Sequence, residues 1–140
     1  MTRPDVSYAV GVLCSFCQSA GPAHYAAALR ALWYLHKTRD ISITFGKNLK
    51  MPLGLAVPPE RFHECNGLHI YHDSSWCKAP YLWGGYVVIY VNGAIAWKAG
   101  KAKIMPDSTA EAETAVGSKA AMETTAVRSV IADMGRPVAG

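Results

Sequence analysis

Two carboxylates in this chain stand where a metal-dependent hydrolase would keep them. Asp73 closes an apolar, strand-like run from Leu68, and Glu113 lies in the second turn of a helical pattern opened by Ser108. If that helix packs on the sheet, both side chains can point at one spot at the sheet's edge. Clustered carboxylates repel and raise one another's pKa unless a cation sits between them. Hard oxygen donors suit Mg2+, which keeps its waters and accepts phosphate oxygens. A pair of such ions can activate a water and stabilise the leaving oxygen in phosphodiester hydrolysis. The plainer alternative makes Asp73 a strand end and Glu113 a solvated helix residue, and on spacing alone it is the more economical.

Other groups carry weaker signals. His63, Cys65, His69, His72 and Cys77 crowd together and could hold Zn2+, but their spacing matches no closed tetrahedral pattern. Cys14 and Cys17 have redox or zinc-knuckle spacing without a partner pair, so they read as buried structural thiols in an apolar helix. Lys98, Lys101 and Lys103 lie along one strand, either touching the phosphates of a nucleic acid held by its backbone or guarding an edge strand from pairing. Trp76, Trp83 and Trp97 offer a stacking surface or, as is more usual in a small sheet, core.

The elements that must position these groups follow from periodicity. Val6, Ala9, Val10, Leu13 and Cys17 recur at helical spacing, predicting a helix from Asp5 to about Ala20 that Gly21-Pro22 stops. Tyr25, Ala28, Leu29, Leu32 and Leu35 predict a second, from about Ala23 to Thr38. Neither can hide its apolar stripe alone, so something must pack against them. Ile41–Phe45 alternates like a short strand. Residues 47–67 hold Pro52, Gly54, Pro58 and Pro59 without periodicity, and a boundary is placed there. Leu68–Asp73, Tyr86–Val91 and Ala94–Lys103 read as strands, the last two joined by an Asn92-Gly93 hairpin turn. Ser108 and Glu111 form a capping box for a helix to about Met134, with Ala112, Val116, Ala120, Val127, Val130, Ile131 and Met134 as its stripe and Glu123 the exception. Such a meander followed by one helix leaves the sheet covered on one side only.

Bulk properties fit a globular fold. The chain has 140 residues, a net charge of +4, 51% hydrophobic and 17% charged residues, a composition unlike that of disordered chains. No apolar run approaches the roughly 18 residues of a membrane span, and the start lacks the layout of a signal peptide. The reading is therefore an intracellular protein with reduced thiols.

At this point a resemblance enters. Thr2-Arg3-Pro4-Asp5-Val6-Ser7-Tyr8-Ala9-Val10, the stretch from His24 to Leu35, Tyr71-His72-Asp73-Ser74-Ser75-Trp76, Gly85-Tyr86-Val87 through Asn92-Gly93-Ala94-Ile95-Ala96-Trp97, and Ser108-Thr109-Ala110-Glu111-Ala112-Glu113 resemble, in that order and over nearly the whole chain, the ribonuclease H region of copia-type long-terminal-repeat retrotransposon Pol polyproteins. Each motif is weak singly, and their order makes the signal specific. The resemblance implies an α/β ribonuclease H-like fold over residues 68–140, incomplete at its C-terminus. It implies a helical tail of the reverse transcriptase or connection region over 1–46, with 47–67 as linker. It further implies Asp73 and Glu113 as ligands of two Mg2+ ions, an RNA–DNA hybrid as substrate, the remainder of the polyprotein as partner, and a cytoplasmic virus-like particle or the nucleus as location.

The departures matter equally. Ser75 and Thr114 stand where the family has Asp and an aromatic residue, and the family's third catalytic Asp would lie on a strand after the long helix, beyond Gly140. Asp133 is no substitute, being about 30 Å from Glu113 at ~1.5 Å per helical residue. The expectation is a nuclease fragment that is inactive by itself. The alternatives are a non-catalytic transposon relic or captured nucleic-acid- or protein-binding module, and a small zinc-stabilised interaction domain.

Overall fold

The computed structural model describes residues 3–46, 68–75, 82–101 and 106–136. A 3-10 turn at Pro4–Val6 leads into helix α1 (Ser7–Cys14), and a second at Cys17–Ser19 precedes α2 (Pro22–Lys37). Strands β1 (Leu68–Ser75), β2 (Trp83–Tyr90) and β3 (Gly93–Lys101) form an antiparallel meander, followed by α3 (Thr109–Asp133). The chain is α/β, and its two N-terminal helices, three-strand meander and long final helix follow in the order that periodicity predicts. The boundary placed at 47–67 falls outside the described residues.

Helix α1 is shorter than expected. The Ser15 hydroxyl donates to the Val12 carbonyl at 2.7 Å, the kind of side-chain bond that competes with helix propagation. Cys14 and Cys17 consequently lie at and beyond the helix end as exposed free thiols, and the expectation that they are buried is corrected. Helix α2 begins at Pro22, where a missing N–H costs nothing, and His24 Nδ1 accepts from the Gly21 N–H at 3.0 Å.

Alternation along β2 divides the sheet into two faces. On one, Val116 sits so close to Gly84 that a Cβ there would overlap it, and Leu82, Ala112 and Val116 pack together in the core. The buried positions of α3 are Ala112, Val116, Ala120 and Ile131, one row along the helix. Val130 and Met134, expected in that row, fall beside it and are exposed. Glu123, the exception in the apolar stripe, is exposed outside the buried row, and burial together with its negative charge pushes the Tyr86 phenol up. The other face is not bare. Gly11 of α1 lies over Ala99, where a Cβ would come within 3.1 Å of the carbonyl oxygen, and the Tyr8 ring meets Trp83 edge-on at 5.5 Å. The sheet is therefore covered on both sides, by α3 over β1 and β2 and by α1 over β3.

Ser108 Oγ accepts from the Glu111 N–H at 3.1 Å, and Glu111 reaches back to the Asp107 N–H at 2.7 Å. The capping box thus closes one residue earlier than its standard form. Two local expectations change. Ile41–Phe45 is not a strand; it is tied to the hairpin by a Gly46 N–H to Val91 carbonyl bond of 3.1 Å and an Asn92 side-chain bond to the Gly46 carbonyl of 2.7 Å. The turn itself is Val91-Asn92, with φ of 51° and 63°, and Gly93 opens β3. The Phe45 ring packs against Gly93 where any Cβ would sit, so the glycine serves that contact while Val91 takes the left-handed backbone. Pairing shifts between Val88–Ala96 and Ile89–Ala94, making Ile95 the extra residue of a bulge.

A β-branched residue at positive φ is strained. Val91→Gly should stabilise the chain by about 0.5–1 kcal/mol, read as a higher urea midpoint at unchanged m-value. A lower midpoint would contradict the turn assignment.

Candidate functional site

An open cleft of about 790 Å3 lies on the α1 side of the sheet, between Asp5 and Tyr8 above and Tyr71, Asp73, Trp83 and Trp97 below. Its roof is held by a polar clamp. Arg3 forks onto the Asp5 carboxylate at 3.0 and 2.7 Å and bonds the Thr38 carbonyl and hydroxyl at 2.9 and 2.7 Å, while the Tyr34 hydroxyl donates to Asp5 at 2.9 Å. This clamp fastens the first described residues to the end of α2. The Arg3 hydrogen bonds, seconded by Tyr34, hold the Asp5 carboxyl down at about 2.

Asp73 is exposed, and its Oδ1 accepts the Ser74 N–H at 2.9 Å. Its neighbour His72 faces α3, contacting Gly117, so alternation turns Asp73 to the cleft side. Glu113 is exposed on α3, one turn before Gly117, and does not line the cleft. The two carboxylates therefore occupy the same end of β1 on opposite sides of the strand. Between them runs the outer edge of β1, which has no strand neighbour among the described residues. No group of three or more His, Cys, Asp or Glu converges among the described residues.

The remaining predicted groups separate. Lys98 pairs with Tyr86 and shares its α3-side face, whereas Lys101 pairs with Trp83 and sets its ammonium over the Trp83 and Phe16 rings at 5.7 and 5.8 Å. Lys103, Trp76, His63, Cys65 and Cys77 fall outside the described residues. His69 pairs with Ile89, on the opposite face from His72, so the two described members of the zinc cluster diverge. Trp83 and Trp97 are half-buried cleft walls. Three features escaped sequence reasoning: the Arg3–Asp5–Tyr34 clamp, the Tyr86–Glu123 contact and Lys119, described below. The first was visible only as part of a motif, and the others join residues with no periodic relation.

Among proteins of known description, the chain is similar to transposon-encoded Pol sequences. It is 29% identical over 123 residues to a putative transposon Ty5-1 protein of Saccharomyces cerevisiae, covering 86% of this chain and 36% of that protein. It is 29% identical over 137 residues to the retrovirus-related Pol polyprotein from transposon RE1 of Arabidopsis thaliana, covering 96% of this chain and 8% of that one. A third relative, secreted RxLR effector protein 161 of Plasmopara viticola, is 29% identical over 126 residues, 88% of this chain and 78% of the effector. The chain thus spans about a third of the Ty5-1 protein's length and under a tenth of the RE1 polyprotein's. No protein-family model matches the chain, and no solved structure matches it. No helix among the described residues is long and apolar enough to cross a membrane.

The clamp has a pH signature. Because the folded Asp5 carboxyl is held below its ordinary value, its stabilisation is complete above the usual carboxylate range and is lost as pH falls toward about 2. Thermal unfolding followed over that interval should show an acid-dependent loss in the wild type that is reduced in Asp5→Asn. Equal acid dependence in both would remove the clamp's role.

Proposed function

We propose that this chain is the segment of a retrotransposon Pol polyprotein that carries part of a ribonuclease H-like nuclease domain of copia type. The observation that carries the reading is the similarity to transposon Pol sequences along 86–96% of the chain, together with two carboxylates at one end of β1. Residues 68–140 form the nuclease part, and residues 1–46 belong to the reverse transcriptase region before it. The substrate is the RNA strand of an RNA–DNA hybrid.

Asp73 and Glu113 are the metal-holding pair. Their chemistry fits Mg2+: both are hard oxygen donors, both are exposed, and Mg2+ is usually held by one or two carboxylates with waters and substrate phosphates completing its shell. When bound, the metal supplies an activated water and charge neutralisation at the phosphate. Asp73 and Glu113 orient that charge at the outer edge of β1, and the Glu111 cap fixes the helix end from which Glu113 projects. With Asp73 and Glu113 as two of the family's three catalytic carboxylates, the 140-residue chain by itself is proposed to cleave hybrid no faster than background.

A second reading has its own support. The similarity to RxLR effector protein 161 covers 78% of that protein, so a stretch of this kind also occurs as most of a much shorter protein. In that reading the chain is a non-catalytic captured module.

The two readings part in a Mg2+ titration followed by amide NMR shifts. Under the nuclease reading the Asp73 and Glu113 signals move together, and Asp73→Asn or Glu113→Gln suppresses the response of the other residue. Independent responses, or none at millimolar Mg2+, would leave the captured module standing and end the nuclease assignment.

A further inference from the structure

Helix α3 covers β1 and β2, and beside it the same face of β3 is open among the described residues. There a pocket of about 60 Å3 is lined by Gly84, Tyr86, Lys98, Gly100, Val116 and Lys119 among others. Lys98 reaches this face by its pairing with Tyr86. Lys119 enters from the flank of α3 opposite Gly117, since Val116 rests on Gly84 and Gly117 on His72. Two lysines from different elements thus line one groove. Among the described residues neither forms an ion pair, the pairs there being Arg3–Asp5 and Arg39–Asp40. The floor is open: a Cβ built on Gly100 meets nothing within 4 Å.

We propose that this groove is a phosphate-backbone contact site, in which Lys98 and Lys119 straddle a phosphodiester of a nucleic-acid duplex. The volume is well above what one water needs and suits a small oxyanion. An anion held between two cationic side chains is attracted by both. A lysine ammonium binds phosphate as a point charge, without reading bases, so the site is sequence-independent. It differs from the stripe of strand lysines expected from sequence, because Lys119 belongs to the helix, while Lys101, which also borders the groove, sets its ammonium over the Trp83 and Phe16 rings. The choice of an RNA–DNA hybrid as the duplex rests on the proposed nuclease function; the groove's preference for phosphate does not.

The test uses the full 140-residue chain and a fluorescently labelled, mixed-sequence RNA–DNA hybrid in EDTA, with affinity measured across a salt series. Each phosphate contact contributes about 0.7–0.9 to the slope of log affinity against log salt. The Lys98→Ala/Lys119→Ala double variant should lower that slope by about one to two and weaken binding at least roughly tenfold at low salt. Gly100→Glu should weaken binding comparably, whereas Gly100→Ala should bind within about twofold of wild type, there being room for its methyl group. Unfolding midpoints of all variants establish that the fold survives.

An unchanged salt slope in the double variant, or equal competition by polyglutamate and unlabelled hybrid, overturns the site. If the slope falls as expected but Mg2+ fails to couple Asp73 with Glu113, the groove stands and the nuclease reading falls. If coupling is seen and the slope is unchanged, the reverse holds.

Discussion

Val116 lies against Gly84 at a separation open only to a residue without a Cβ, and the rest of the meander and α3 is arranged around that approach. Small residues on α3, Ala112 and Ala120, continue the same row and are wholly buried. Together they let the helix axis sink onto β2, so that Val88, the sheet's central side chain, is excluded from water. Burying such apolar surface stabilises by about 25 cal/mol per Å2, but here the closeness matters as much as the area. It sets the height of α3 above β1, and with it the positions of Glu113, His72 and Lys119. A methyl group at Gly84 would lift the helix and move all three.

The two faces of the sheet have different chemistry for the same reason. On the α3 side the small helix row packs closely on the sheet, and the exposed Glu123 sets its charge near Tyr86. On the α1 side a short helix meets β3 through Gly11 and β2 through Tyr8, and aromatic rings line the cleft toward β1. Asp73 opens onto that side. Arg3 and Asp5 fix the roof by tying the chain start to the end of α2, which explains why a charged, proline-bearing stretch precedes an apolar helix.

Much of this architecture was legible in the residues. The meander, the long helix, its Ser108 cap and the helical pair follow from periodicity and end signals acting locally. What periodicity missed is tertiary. The hairpin turn moved from Asn92-Gly93 to Val91-Asn92 because Phe45, far away in sequence, needs the space over Gly93. Ile41–Phe45 alternates like a strand, yet its described bonds to the sheet are at the hairpin tip and it forms no ladder. The cysteines were expected to be buried because the apolar pattern continues through them, whereas Ser15 ends the helix first. For the candidate site, sequence supplied the identities of Asp73 and Glu113 through motif resemblance, but not the side of β1 on which each lies.

The bulge at Ile95 carries a consequence for the whole surface. With regular pairing continued from the turn, Trp97 would stand opposite Tyr86 and Lys98 opposite Gly85, each on the face it now avoids. One extra residue therefore acts as a phase shifter. It sends the indole to the aromatic cleft and the ammonium to the helix side, and it does so without altering a single side chain. In proteins built on this meander, a length change of one residue in the hairpin would rewrite the chemistry of both faces while leaving composition, charge and hydropathy almost untouched.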